Sequence, residues 1–196
     1  MPPVKRILKE DILRAAANVI HTHGETALSV RNIAKELGCS TQPIYSQFQN
    51  IDGLRAELIE YIRQRYLRFS FSNYKDFGQK FLAFASEEKE LFRFLYLRRR
   101  DSGEKLLDDA NYERTVELLA HNLEMPLERA REMHRQMQYR CYGLGVMIAT
   151  SYRSMTEEEI GRELTDFYSI ILRHYKSVSS EEELQYWLNR SRNLIL

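Results

Sequence analysis

The sequence predicts an all-α protein with a small helical head at the N-terminus and a larger helical body, and three observations predict it. Apolar residues recur at three- and four-residue spacing along nearly the whole chain, and no segment alternates as a half-buried strand would. Only 8 Gly and 4 Pro occur in 196 residues, too few to punctuate an all-β chain. The 12 Tyr, 9 Phe and single Trp all lie from Tyr45 onward, so a compact aliphatic core is expected before that point and a ring-filled or ring-lined interior after it. With 43% hydrophobic and 29% charged residues, the chain has the composition of a folded protein rather than a disordered one.

The elements follow in order. Ile12, Leu13, Ala16, Val19 and Ile20 give the apolar stripe of a first helix, with His21 and His23 where a cation suits the helix dipole and Gly24 where the helix should stop. Ser29 is the N-cap of a second helix through Val30, Ile33, Ala34 and Leu37, which ends at Gly38. A third short helix from Ser40 holds Ile44, Tyr45 and Phe48. A fourth is capped by Asp52 and runs through Leu54, Leu58, Tyr61, Ile62 and Tyr66 to about Phe71.

Further helices are predicted near 76–86, 87–98, 111–123, 127–152, 157–176 and 181–193. Thr156 with Glu159, and Ser180 with Glu183, have capping-box spacing, and Pro126 fits a first helical turn because its missing N–H would be unpaired there. Residues 98–103 form the one long polar connection. Gly143 and Gly145 each cost a helix about 1 kcal/mol relative to Ala, which a close helix approach would offset; Leu164, Phe167, Tyr168, Ile171 and Leu172 offer the facing apolar surface.

Several classes of function are not expected. The net charge of +1 gives no signal for a polyanionic partner, although residues 1–68 hold 10 basic against 7 acidic residues and the remainder is net negative. No apolar run of about 18 residues and no signal-like N-terminal stretch is present, so the expected location is the cytoplasm, with no membrane partner. Cys39 and Cys141 stand alone, which predicts two buried reduced thiols and neither a disulfide nor a metal site. Arg98, Arg99 and Arg100 are balanced by Asp101 and Glu104. No cofactor motif is present, and an enzyme in the body, for instance one pairing His134 with Cys141, has no nucleophile, phosphate-loop or metal spacing behind it.

Chemistry concentrates in residues 29–48. Three short helices with a tight Gly38-Cys39 junction between the second and third make a helix-turn-helix pattern. Gly38 can take the left-handed conformation the junction needs, and Ala34 is small where the two helices approach. Ile33, Leu37, Ile44 and Phe48 close this core against Ala16, Val19 and Ile20. The outward face of the third helix presents Ser40, Thr41, Gln42, Pro43, Ser46 and Gln47, with hydroxyls and amides but no carboxylate to repel phosphate, so duplex DNA is the expected partner. Arg31 is a candidate for a guanine or a phosphate.

The stretch Ser29-Val30-Arg31-Asn32-Ile33-Ala34-Lys35-Glu36-Leu37-Gly38-Cys39-Ser40-Thr41-Gln42-Pro43-Ile44-Tyr45-Ser46-Gln47-Phe48 closely resembles the N-terminal module of TetR-type transcriptional regulators. Ile12-Leu13-Arg14-Ala15-Ala16 resembles the first helix of that module, and Gly53-Leu54 falls where its fourth begins. The resemblance implies a DNA-binding domain over 1–68 and a helical ligand-sensing and dimerisation domain over 69–196. It implies that the Tyr45 hydroxyl meets a DNA phosphate and that Ser29 caps its helix near the backbone. Gln47 stands where His is frequent, and Ile51 or its neighbours stand where Lys usually opens the fourth helix; Lys5, Arg6 and Lys9 on an N-terminal arm then supply phosphate attraction.

In the body, the resemblance implies a pocket for a small apolar or aromatic effector. Its candidate lining is Phe71, Phe84, Phe92 and Tyr96 from the aromatic run, with Tyr112, His134, Tyr139 and Tyr142 as polar handles; ordinary core packing is the alternative for each. It further implies a homodimer joined through the last two long helices by Leu144, Met147, Ile148, Leu164, Phe167, Tyr168 and Ile171, against burial within one subunit. The expected activity is ligand-relieved repression at a near-palindromic operator. A DNA-binding regulator controlled by a partner protein is the alternative.

Overall fold

A computed structural model describes residues 7–68, 73–98 and 112–193. These residues are helical apart from their connections, and they divide into two compact units. The first comprises the described residues up to Leu67 together with 88–98, and the second comprises the rest.

The first unit begins with α1 (Lys9–His23), which buries Ile12, Leu13, Ala15, Ala16, Ala17, Val19 and Ile20. It stops at Gly24, whose φ of 77° is one a side chain would resist. After a 3-10 turn (Glu25–Ala27), α2 (Val30–Leu37) and α3 (Gln42–Gln47) pack on α1 through Ile33, Ala34, Ile44 and Phe48, all buried; Leu37 is half-buried. Each large aliphatic side chain withdrawn from water here stabilises by about 1.5–3 kcal/mol, enough to hold so small a core closed.

Helix α4 (Ile51–Ile62) buries Leu54, Leu58 and Ile62. Its cap is Asn50, not the expected Asp52: the Asn50 carboxamide oxygen accepts from the Gly53 N–H at 2.8 Å. Asn and Asp cap equally well, and this choice leaves Asp52 in the first turn, beside the positive end of the helix dipole. Nor does α4 continue to about Phe71 as one α-helix. Residues Arg63–Leu67 form a π-helical turn, a one-residue change of register that apolar spacing cannot signal. Phe71 lies outside the described residues.

The unit is completed by a later helix, α6 (Lys89–Tyr96), which packs on α1 and buries Leu91, Phe92, Phe94 and Leu95. The Arg55 guanidinium lies over the Phe94 ring, 5.4 Å from its centroid, and Glu88 meets His21 at 2.6 Å.

The second unit contains α5 (Tyr74–Glu87), α7 (Tyr112–Leu123), α8 (Leu127–Ala149), α9 (Glu157–Lys176) and α10 (Glu181–Asn193). Helix α5 packs on α8 and α9, and α7 packs on α8 and α10. Gly78 lets α5 approach closely, since a Cβ there would stand 3.1 Å from Leu164 and 3.4 Å from the Cys141 sulfur. The Thr156–Glu159 capping box is present, with reciprocal bonds of 3.2 and 2.7 Å that hold the Glu159 carboxyl below its usual range. At α10 the pairing is looser: the Ser180 hydroxyl accepts from Glu183 N–H, but the carboxylate turns to Ser179 N–H instead. Pro126 is the N-cap of α8 rather than its first helical residue, and α8 stops at Ala149, where the Thr150 hydroxyl donates back to Val146 O.

The carbonyl end of α7 is closed by cations from α9 and α10. Lys176 donates to Leu123 O at 2.8 Å and Arg190 to Asn122 O at 2.7 Å, while the Lys176 ammonium sits 3.9 Å from the Trp187 ring centroid. The Asn122 side chain is fully buried beside them, and neither its amide nitrogen nor its oxygen has a hydrogen-bond partner among the described residues.

Candidate nucleic-acid interface

The interface is built on α2, the Gly38 turn and α3. Ser29 takes extended backbone and its hydroxyl accepts from Asn32 N–H at 3.2 Å, so the cap is present as the sequence predicts. The Asn32 carboxamide in turn donates to Ala27 O at 2.7 Å, fixing the angle at which the chain enters α2. At the other end Gly38 is left-handed (φ 64°, ψ 35°), and its N–H bonds Lys35 O while Cys39 N–H bonds Ala34 O. This is a Schellman closure. A Cβ added at Gly38 would meet nothing within 4 Å, so glycine is needed there for its backbone alone.

The turn delivers α3 with two unlike sides. Ile44 and Phe48 are buried, whereas Ser40, Thr41, Gln42, Tyr45, Ser46 and Gln47 are exposed and Pro43 is half-buried in the first turn. Tyr45 is 59% exposed. The helix itself starts at Gln42, so Ser40 and Thr41 precede it rather than open it. The Ser46 hydroxyl donates to Pro43 O at 2.7 Å, which commits its proton and leaves its oxygen as an acceptor.

Charge is sorted around this face. Four carboxylates of the unit are held by nearby cations: Asp11 by Arg14, Glu25 by Arg55, Glu57 by Lys9, Glu90 by Arg93. Lys9 is thus the first residue of α1 rather than part of an arm, 2.6 Å from Glu57 and over the Phe48 ring. Lys5 and Arg6 lie outside the described residues. On α2, Arg31 and Lys35 are exposed and have no acidic partner among the described residues. Sequence reasoning singled out Arg31 and passed over Lys35, although the four-residue spacing that puts them on one flank is legible.

The effector and dimer candidates are placed as follows. Phe84 is buried in α5, and Phe92 and Tyr96, their rings 4.7 Å apart, belong to α6 in the first unit. In the second unit the structure brings Tyr112 and His134 together, ring centroids 5.3 Å apart, with Tyr74 and Phe77 beside them. His134 is 1% exposed and bonded through Nδ1 to the Tyr74 hydroxyl at 2.9 Å; burial lowers its pKa to about 4, so it is a neutral imidazole. Tyr142 is half-buried and Tyr139 exposed. Cys141 is buried, its thiol pushed up to about 12, while Cys39 is only half-buried, contrary to expectation, because it sits at the surface turn. Leu144, Ile148, Leu164, Tyr168 and Ile171 are buried in the chain's own core, and Met147 and Phe167 are half-buried. On the outer sides of the same helices Ile170 is 64% exposed, and a Cβ at Gly143 would meet nothing.

Residues 12–58 match the family model for bacterial regulatory proteins of the tetR family. The fold is similar to that of a TetR-like transcriptional regulator from Rhodococcus sp. RHA1, with a TM-score of 0.60 and 18% identity, over 88% of this chain and 98% of that one. No curated protein matches the chain in sequence. Among the described residues, no helix is long and apolar enough to cross a membrane.

Proposed function

We propose that this chain is a DNA-binding transcriptional regulator of the TetR family and that it works in the cytoplasm as a homodimeric repressor released from its operator by a small apolar or aromatic effector. The observation that carries the reading is the face of α3: hydroxyls, amides and an exposed tyrosine, free of carboxylates, mounted on a buried Ile44–Phe48 edge. The first unit would be the DNA-binding head and the second the sensing and dimerisation domain, so that α6 belongs with the head and not with the 69–196 body the sequence predicts. Gln42 would read a base edge, while Tyr45 and Arg31 would hold phosphates.

A two-fold dimer would place two α3 helices in successive major grooves, about 34–36 Å apart, so the operator is a near-palindrome. With five of the expected dimer residues occupied in the chain's own core, the dimer face is the outer side of α8 and α9, formed by Tyr139, Gly143, Met147, Phe167 and Ile170. Gly143 supports this: none of the described residues needs its missing side chain, whereas a second subunit in close approach would. The effector would bind near Tyr112 and His134 and relieve repression if it prefers the non-binding conformation; a coupling of about 1–3 kcal/mol changes operator affinity by roughly 5- to 150-fold.

Selection of duplexes from a random pool by the full-length protein tests the reading. A near-palindromic consensus should emerge, with Gln42→Ala losing discrimination at one position of each half-site and Tyr45→Phe weakening all sequences alike. If both variants bind the consensus as tightly as the parent, α3 is not the reading element.

A further inference from the structure

We infer that Lys35 is a phosphate anchor of the DNA interface, acting beside Arg31 from the flank of α2 that leads into the Gly38 turn. The inference rests on the reading of α3 as the groove-facing helix. Helix α2 has two exposed flanks that differ in what they face. Asn32 and Glu36 share one: Asn32 is bonded to Ala27 O, and the Glu36 carboxylate accepts from the Asn18 carboxamide of α1 at 3.4 Å. That flank is turned toward α1. Arg31 and Lys35, also four residues apart, share the other, where side chains at this spacing stand about 5–6 Å apart at Cβ.

The charge bookkeeping of the unit points the same way. Lys9, Arg14, Arg55 and Arg93 each hold a carboxylate, and the single carboxylate between Ser29 and Phe48, Glu36, is on the α1 side. Neither Arg31 nor Lys35 has an acidic partner among the described residues, although both are exposed in a unit whose other cations are so often paired. Two unneutralised cations on one turn of helix can meet neighbouring phosphates of a single strand, because B-DNA carries one charge per about 3.4 Å of each strand. Lys, a compact point charge with a flexible stem, suits a phosphate rather than a base edge.

The test is the salt dependence of binding by the full-length protein, using the selected operator duplex and a scrambled duplex of equal length, with Lys35→Gln and Lys35→Arg compared with the parent. Each phosphate contact contributes about 0.9 to the slope of log affinity against log salt, so Lys35→Gln should flatten the slope by about 0.9 per contact and lose about 3.5-fold less affinity per contact than the parent between 50 and 200 mM salt. It should weaken both duplexes by the same factor, and Lys35→Arg should restore the parental slope. An unchanged slope in Lys35→Gln, or a loss confined to the operator duplex, overturns the assignment while leaving DNA binding intact. A parent protein that binds neither duplex overturns the underlying reading as well.

Discussion

Acidification should destabilise the body through His134, and the size of the effect follows from its surroundings. The imidazole is 1% exposed, shares a hydrogen bond with the Tyr74 hydroxyl through Nδ1, and is ringed by Tyr74, Phe77 and Tyr112 at centroid distances of 5.8, 6.2 and 5.3 Å. Its pKa falls from 6.5 to about 4 because burial penalises the cation. The unfolded chain therefore takes up a proton near pH 6.5 that the folded chain refuses until about pH 4. Above 6.5 the group contributes no pH dependence; between 6.5 and 4 stability is progressively lost as pH falls, reaching about 3 kcal/mol below both values. At pH 5 the loss is already about 2 kcal/mol. Trp187, the single Trp, lies buried in α10 and reports unfolding of this unit in urea. Between pH 7.5 and 5.0 the parent should lose about 2 kcal/mol more than His134→Gln, which keeps a hydrogen-bonding partner for Tyr74 but cannot titrate. Equal losses in the two proteins would refute the reasoning, as would an imidazole resonance of His134 titrating near 6.5.

Three other perturbations separate the physical causes at work elsewhere. Gly38→Ala meets no atom, so its cost is the left-handed backbone alone, about 1–2 kcal/mol, less about 0.4–1 for the stiffer unfolded chain; Gly38→Asn should cost less, and an Ala variant as stable as the parent in thermal unfolding would show that the turn needs no glycine. Asn122→Leu replaces a buried amide with no partner by an apolar group of similar volume and should stabilise the body by about 1–3 kcal/mol in urea, with destabilisation as the opposing result. Ile170→Glu should yield folded monomers in sedimentation at micromolar concentration, whereas Ile171→Ala, one residue along but buried, should instead cost the protomer about 2–5 kcal/mol; a dimeric Ile170→Glu would move the interface elsewhere.

Helix positions were legible where periodicity and end chemistry agreed. Ser29, Gly24, Gly38 and the Thr156–Glu159 pair terminate their helices as their residue types dictate, because capping is a local backbone requirement that neighbours rarely override. Asn50 and Asp52 compete for one cap with equal chemistry, and the choice between them is tertiary. The exposed side of α3 was legible for the same reason that its core was: Ile44 and Phe48 fix which way a six-residue helix turns. Apolar spacing reveals that a helix has a buried side, but not what it is buried against. So Phe92 and Tyr96 read like the other rings yet belong with α1, and Leu164 and Ile171 read as an interface yet fill the chain's own core. The partnership of His134 with Tyr74, sixty residues apart, had no sequence signature at all.

The return of α6 to the first unit bears on how such proteins can be taken apart and recombined. A fragment cut after residue 68 would lack Leu91, Phe92, Phe94 and Leu95, leave the α1 surface they cover wet, and strand the Arg55 guanidinium without its ring. A chimaera that grafts the first unit onto a foreign body must therefore transplant two separate stretches of polypeptide, with residues 88–98 spliced into the recipient's own sequence. The unit of exchange is spatial, and no single crossover in the gene delivers it.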